Sequence, residues 1–316
     1  MHRRILVLFP GSLGDFLCFL PALRFIHAAN PGSTVEIGAR GDGLLIAQRL
    51  PEIARTLSLE SSTFAKLFSS SPSLNSEEEH FFTSAHEILS WFGHDRLSIS
   101  EVLPQIRGGG VRSFAFFTGQ EDCHATAYYL QCVGGNDLSC PSLVLKTEEK
   151  QWLDVYWQQC GWSTDSRILV LHPGSGGKKK RWASEGFAHV AQWWKARSNS
   201  KILILLGPTE EQEAEDWRLV GKVESALSIW QTVALLSRAD VYVGNDSGVS
   251  HLAGAVGARG VVLFGPTRPQ QWQPLGGALS VLQNVSYRTE QPNVAGITLA
   301  EIPAEEMIAA LIRVGV

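Results

Sequence analysis

The sequence predicts an α/β protein built as two doubly wound, Rossmann-like parallel-sheet domains. Three observations carry this. Short apolar runs bounded by Gly and Pro alternate with helix-period segments along the chain, the pattern that parallel strands joined by helices produce. The composition shifts around residue 147, where a charged, Trp-rich segment begins. Each half opens on an apolar strand that ends in the same tripeptide, Pro10-Gly11-Ser12 and Pro173-Gly174-Ser175. A chain of 316 residues suits two domains of about 150 residues. The expected domains are 1–150 and 151–316, with the final helix a candidate to pack back on the first.

In the first half, Ile5–Phe9 is an apolar run of strand length. Phe16, Leu17, Leu20, Leu23 and Ile26 recur at helical spacing, and Pro21 is expected near the first turn, where proline is tolerated. Thr34–Ile37 is a weaker strand. Residues 60–80 are rich in Ser and Glu and poorly periodic, so loops are expected there. "IRGGGVRSFAFFTG" reads as loop then strand, and "TAYYLQCVGG" as a helix with a glycine stop. "HEILSWFG" is either a buried element or part of an acceptor site; the residues do not decide.

In the second half, "KTEEKQWLDVYWQQCGW" is a helix ending at Gly161, and "RILVLHPGSGG" is a strand entering a glycine-rich turn. "SEGFAHVAQWWKA" places Phe187, Val190, Ala191 and Trp194 on one helical face. The strand "KILILLG" follows. Thr209 and Gln212 then form a capping-box pattern, which marks a helix start. Helix "WQTVALLSRA", strand "DVYVG", a helix after "VGNDSG" and strand "GVVLFG" complete the series. "AEEMIAALIRVGV" is a terminal amphipathic helix.

Hydrophobic residues at 44% and charged residues at 18% describe an ordinary soluble globular chain. The net charge of −4 gives no reason to expect nucleic acid or an anionic membrane as a bulk partner, so any anion site must be local. Cys18, Cys123, Cys132, Cys140 and Cys160 are widely spaced with no CxxC pair, and read as reduced thiols in a cytoplasmic compartment. A zinc site at Cys123, His124, Cys132 and Cys140 has only its spacing in its favour. The apolar run in "MHRRILVLFPGSLGD" is too short for a signal peptide and stops without a cleavage site. No apolar run approaches about 18 residues. Peripheral contact with a membrane stays open.

Ligands of open α/β sheets bind beyond the carboxyl ends of the strands, and three corners of the chain fall there. In "FPGSLGDFL", Gly11 and Gly14 allow close approach to backbone, and Asp15 stands at a helix start; a plain helix cap is the competing reading. "HPGSGGKKKRW" offers backbone N–H groups in a glycine-rich turn beside the cations Lys178 to Arg181, a combination suited to phosphate. The competing reading is a solvated basic loop. In "VGNDSGVSHLAGA", Asp246 or Ser247 caps a helix and Gly248 bares its first turn, whose N–H groups lie at the positive end of the helix dipole. Asp246 is itself an anion, so this corner needs a balancing cation or a ligand hydroxyl. His251 lies one turn on, facing the corner or buried and satisfied. Thr267 and Arg268 follow the next strand. Neither a GxGxxG nor a P-loop spacing is present.

"GSLGD…LPALR", "HPGSGGKKKRW" and "VGNDSGVSHLAGAVGARGVVLFGPT", in that order with "LGPTEE" between the last two, resemble glycosyltransferase family 9, the lipopolysaccharide heptosyltransferase family. The resemblance implies a GT-B architecture with a cleft between two Rossmann-like domains. It implies an inverting, metal-independent, cytoplasmic glycosyltransferase without a cofactor. The donor implied is a nucleotide sugar, usually ADP-heptose, and the acceptor a glycan or glycolipid, with peripheral contact at the inner membrane surface. By position, Asp15 corresponds to the base and Lys180 to the donor-contacting lysine. Asp246, Ser247, Gly248 and His251 fall at the family's donor-site positions, and Gly14, Ser175 and Arg181 are further donor-contact candidates. Ala183 and Arg259-Gly260 stand where the family usually has proline. The alternative is a non-catalytic sugar-nucleotide-binding protein, or an epimerase or hydrolase on the same scaffold. Intact Asp15 and Lys180 weigh against the first, and no second acid in an equally convincing setting weighs against the others.

Overall fold

The computed structural model describes residues 3–67, 73–92, 110–117, 122–283, 299 and 302–316. The chain divides into two compact units, Met1–Ser139 and Cys140–Val316. The division falls ahead of residue 150 because the chain after Ser139 is already tied to the second unit. Leu143 donates its N–H to the Ala255 carbonyl at 3.1 Å.

Among the described residues the first unit holds five parallel strands, β1 (Arg4–Leu8), β2 (Thr34–Ala39), β3 (Arg55–Ser58), β4 (Glu87–Ser90) and β5 (Gly110–Ser113), in the order β3-β2-β1-β4-β5. β1 pairs with both β2 and β4, and its Ile5, Leu6, Val7 and Leu8 are fully buried. A strand covered on both faces reads as a continuous apolar run. Helix α1 (Leu13–Ala29) buries the spaced residues Phe16, Leu17, Leu20, Leu23 and Ile26. Pro21 is not in its first turn: the helix starts at Leu13, so the proline is interior and the Leu17 carbonyl lacks its usual helical donor. α2 (Gly41–Ala47) follows β2. Residues 60–80 are not simply loop. They carry α3 (Ser62–Leu67) and α4 (Ser76–Thr83). α4 is set by its cap rather than by periodicity. Asn75 accepts from the Glu78 N–H at 2.8 Å, Glu78 accepts from the Asn75 N–H at 2.9 Å, and Lys66 of α3 bonds Glu78 at 2.8 Å. The segment 86–92 is strand β4 and its exit, with Gly93 outside the described residues, as are 106–109 and 118–119. α5 (Ala125–Cys132) packs on α1 and stops at Gly134, whose φ is +85°.

The second unit holds six parallel strands among the described residues: β6 (Arg167–His172), β7 (Ser200–Leu205), β8 (Lys222–Glu224), β9 (Val241–Asn245), β10 (Arg259–Phe264) and β11 (Ala278–Gln283), in the order β11-β10-β9-β6-β7-β8. The edge strands β8 and β11 were not legible as apolar runs: one has three residues, the other is largely half-exposed. The helices are α6 (Thr147–Gln159), α7 (Ser184–Lys195), α8 (Ala214–Arg218), α9 (Ile229–Ser237), α10 (Gly248–Ala255), α11 (Pro269–Trp272) and α12 (Ala304–Arg313). The expected Thr209/Gln212 capping box does not form. A 3-10 turn, Glu211–Glu213, precedes α8, and the Thr209 hydroxyl goes to Glu210 at 2.6 Å. α12 packs on α7 and β10; its Met307, Ala310 and Leu311 join Trp182, Phe187 and Trp194 in one core. Each such large side chain contributes roughly 1.5–3 kcal/mol by leaving water.

In each sheet the chain runs outward from a central strand in one direction and then returns to the other side of it. The switch lies between β1 and β4 in the first unit and between β6 and β9 in the second. These are the places where an open parallel sheet leaves a crevice beyond its carboxyl edge.

Candidate active site

β6 and β9 are neighbours in register, with His172 opposite Gly244. The loops that leave them start side by side at the switch point of the second sheet. Asn245, the last residue of β9, is fully buried and binds those loops together. Its Oδ1 accepts from the Trp182 N–H at 3.1 Å and its Nδ2 donates to the Pro173 carbonyl at 2.7 Å. Its own carbonyl accepts from the Ser250 hydroxyl at 2.6 Å. Ser250 also meets the Tyr242 hydroxyl at 2.8 Å, and burial raises the Tyr242 phenol above its ordinary range. Gly244 has to be glycine, because a Cβ there would strike the Tyr242 hydroxyl.

Asp246 follows, with a side chain only 7% exposed. Its Oδ2 accepts from Lys180 Nζ at 2.6 Å and from the Thr267 hydroxyl. Its carbonyl accepts from the Ser175 hydroxyl at 2.9 Å. Of the balancing cation or ligand hydroxyl that the sequence called for, the structure supplies a cation, Lys180, delivered by a 3-10 turn, Lys178–Lys180, in the β6 loop. Lys178 and Lys179 on the same turn are exposed. The loop is not merely a solvated basic run, since it ends on Trp182, which is buried and donates its indole N–H to the Ile302 carbonyl at 3.0 Å.

Arg181 turns away from Asp246. Its guanidinium pairs with Glu210, reaches the Thr209 hydroxyl at 3.3 Å and donates to the Ser175 carbonyl at 3.4 Å. Glu210, in the loop after β7, is 2% exposed and also accepts from the Gly207 N–H at 3.1 Å. Gly174 lies against this carboxylate: a Cβ would meet Glu210 Oε2 at 2.5 Å. Beside them His172 is buried, which lowers its pKa, while the Leu205 carbonyl and Glu210 work in the opposite sense. A carbonyl only accepts, so the 2.8 Å contact from His172 Nδ1 to Leu205 O fixes the proton on Nδ1.

Helix α10 begins at Gly248, capped by Ser247, whose Oγ accepts from the Ser250 N–H at 3.4 Å. The first-turn N–H groups beyond the cap have no intrahelical acceptor. His251, one turn on, is buried, and its N–H donates to the Ser247 carbonyl at 3.4 Å. Arg268 is exposed. Of the sequence-derived residues, the second unit thus gathers Ser175, Lys180, Asp246 and Thr267 by direct contact. Arg181 serves Glu210 instead. Asn245, Tyr242 and Glu210 were not singled out beforehand. Asn245 had a local signal, a polar residue closing an apolar run; Tyr242, inside β9, and Glu210, in the loop beyond β7, had none.

In the first unit, Asp15 sits in the first turn of α1, with Gly14 before it. Its Oδ2 accepts from the Ser12 N–H at 3.0 Å and the Ser12 hydroxyl at 2.5 Å, so Ser12 is the N-cap and Asp15 closes a capping box from the third helical position rather than capping the helix itself. Gly11 is the glycine that the packing demands: a Cβ would strike the Phe9 ring and lie 2.6 Å from Asp15 Cβ. Behind α1, burial and the nearby Asp15 charge raise the phenol of Tyr129. Among the described residues no group of three or more His, Cys, Asp or Glu side chains is placed to hold a metal, Cys123, His124, Cys132 and Cys140 included. Among them, too, no helix is long and apolar enough to cross a membrane.

Two parallel-sheet units of this kind match the GT-B class of glycosyltransferases. The structure of a family 9 glycosyltransferase from Veillonella parvula superposes with a TM-score of 0.79 at 19% identity, over 99% of this chain and 97% of that one. The Escherichia coli heptosyltransferase WaaC with ADP gives a TM-score of 0.67 at 17% identity, over 99% and 100%. In sequence, lipopolysaccharide heptosyltransferase 2 of Escherichia coli is 21% identical over 322 aligned positions, covering 90% of this chain and 88% of the relative. The family model for glycosyltransferase family 9 (heptosyltransferase) matches residues 137–296. The chain belongs to that family and is a glycosyltransferase.

Proposed function

We propose that the protein transfers heptose from ADP-heptose to a lipopolysaccharide-core or related glycan acceptor, with inversion at the anomeric carbon and no requirement for a bound metal. The observation that supports this most is the Lys180–Asp246 pair at 2.6 Å, set at the start of α10 and at the switch point of the second sheet. The similar Escherichia coli structure contains ADP, which supports adenine as the base. On this reading the diphosphate lies over Lys180, the exposed Lys178 and Lys179, and the α10 N-terminus. The carboxylate of Asp246 accepts from a ribose or sugar hydroxyl. His251 and Gly248 shape the same corner, and Ser175 and Arg181 support it from behind.

The reaction follows as a single displacement. The acceptor oxygen forms its bond to the anomeric carbon as the bond from that carbon to the β-phosphate oxygen breaks. One displacement inverts the centre. Asp15 takes the acceptor proton; a positioned base contributes roughly 10²–10⁴-fold. The leaving nucleoside diphosphate gains charge, and the lysine turn and helix N-terminus stabilise it. Location at the cytoplasmic face of a membrane, where a glycolipid acceptor would be met, belongs to the same proposal. The test is to incubate the protein with ADP-heptose and a delipidated core oligosaccharide, with and without EDTA, and to assign the product anomer by NMR. An inverted product formed equally in EDTA is expected. A retained anomer, or activity lost to EDTA and restored by a divalent ion, would overturn the mechanism.

A further inference from the structure

We infer that Glu210 is a positioning residue for donor binding: through Arg181 it holds the lysine turn so that Lys180 stands on Asp246. The inference rests on the reading of Lys180 as a donor contact. Arg181, Ser175, Asp246 and Lys180 form a closed ring, and Glu210 anchors it at Arg181. Glu210 pairs with Arg181; Arg181 donates to the Ser175 carbonyl; the Ser175 hydroxyl donates to the Asp246 carbonyl; Asp246 binds Lys180; and Lys180 adjoins Arg181 in the chain. The ring joins the loops after β6 and β9, Glu210 ties it through Arg181 to the loop after β7, and the Glu210 side chain is the more buried of that pair, 3% exposed against 20% for Arg181.

Burial sets the direction of the argument. Glu210 is fixed from its own side by the Gly207 N–H and the Thr209 hydroxyl, and Gly174 packs against it with no room for a Cβ. Arg181 is the arm that reaches it, with Glu213 at 3.5 Å as a second, outer partner. Lys180 and its neighbours sit in a one-turn 3-10 segment after Gly176 and Gly177. Such a segment has little structure of its own to fix it. An anchor on the next residue therefore decides how often Lys180 is in place. Without it the turn samples other positions, and apparent affinity falls by the fraction of time the competent one is lost.

The experiment measures the Kd for ADP in wild type, Glu210→Gln, Lys180→Ala and the double variant, with a thermal melt of each. Glu210→Gln keeps the size and the Gly207 contact and removes the charge that holds Arg181. It is expected to weaken ADP about ten-fold and to raise the donor KM by a similar factor with kcat little changed. Because Glu210 acts through Lys180, the double variant is expected to bind no worse than Lys180→Ala alone. Arg181→Lys, whose side chain is nearer solvent, provides the second route should Glu210→Gln not fold; a few-fold loss is expected, again absent in the Lys180→Ala background. Wild-type affinity in Glu210→Gln, or losses that multiply in the double variant, overturns the positioning role while leaving the donor site intact. Lys180→Ala binding ADP like wild type overturns the donor-site reading, and the positioning role falls with it.

Discussion

Replacing Lys180 by alanine tests the electrostatics of the corner. The substitution leaves the Asp246 carboxylate in place, 7% exposed, with the Thr267 hydroxyl as a remaining donor. Removing one partner of a fully buried pair costs about 3–5 kcal/mol. Lys180 is 33% exposed, so solvent screens part of the interaction and the loss should be about 2 kcal/mol. For a unit of this size that is a fall in Tm of roughly 4–8 °C. Donor binding should fall further. The pair is neutral in the wild type; in the variant a net negative charge faces the incoming diphosphate. At about 5 Å and an effective dielectric of about 20, one unit charge is worth about 3 kcal/mol, or about 100-fold in Kd. Calorimetric titration with ADP, paired with thermal melts, reads both effects. If Lys180→Ala binds ADP within about two-fold of wild type at unchanged Tm, the reasoning is refuted.

The other predictions concern separate elements. Asp15→Ala should lower kcat by about 10²–10⁴-fold while ADP affinity stays within about two-fold; because Asp15 also closes the α1 capping box with Ser12, the variant should lose about 1 kcal/mol in a denaturant melt. Near-normal turnover would remove Asp15 as the base. His172 is lowered by burial, so the folded state binds fewer protons than the unfolded state once the pH drops below the ordinary histidine value near 6.5. Its contribution is complete above that value and lost on acidification, at up to about 1.4 kcal/mol per pH unit. Chemical denaturation between pH 7 and pH 5 should show a shallower loss in His172→Asn than in wild type; parallel curves would count against it. Gly244→Ala should cost about 1–3 kcal/mol by forcing a Cβ onto the Tyr242 hydroxyl, and Gly244→Ala with Tyr242→Phe should recover part of it in a thermal melt.

Much of this architecture could be read from residue order. Strands buried on both faces, such as β1 and β6, announce themselves as apolar runs, and α7 shows a clean helical face. The edge strands β8 and β11 escape because, among the described residues, each pairs with a strand on one side only. α4 escapes because its cap, not an apolar stripe, defines it. Pro21 misleads because a proline suggests a helix start, whereas α1 begins eight residues earlier at Leu13. At the site, the spacing of Asp246, Ser247 and Gly248 with the lysine run was legible as a charged corner needing a counter-ion. Which cation meets Asp246 was not: Lys180 and Arg181 are adjacent in sequence, and only the turn geometry sends one to Asp246 and the other to Glu210. Glu210 itself is set by the pairing of β6 with β7, a long-range relation that no local pattern encodes.

The central claim is that the corner beyond β9 holds the donor nucleotide. Calorimetric titration of the protein with ADP, UDP, GDP and CDP, repeated with Asp246→Ala for the tightest binder, tests it most directly. The account predicts selective binding of ADP that Asp246→Ala abolishes. Folded protein that binds none of the four, or binds ADP equally well without Asp246, would contradict it.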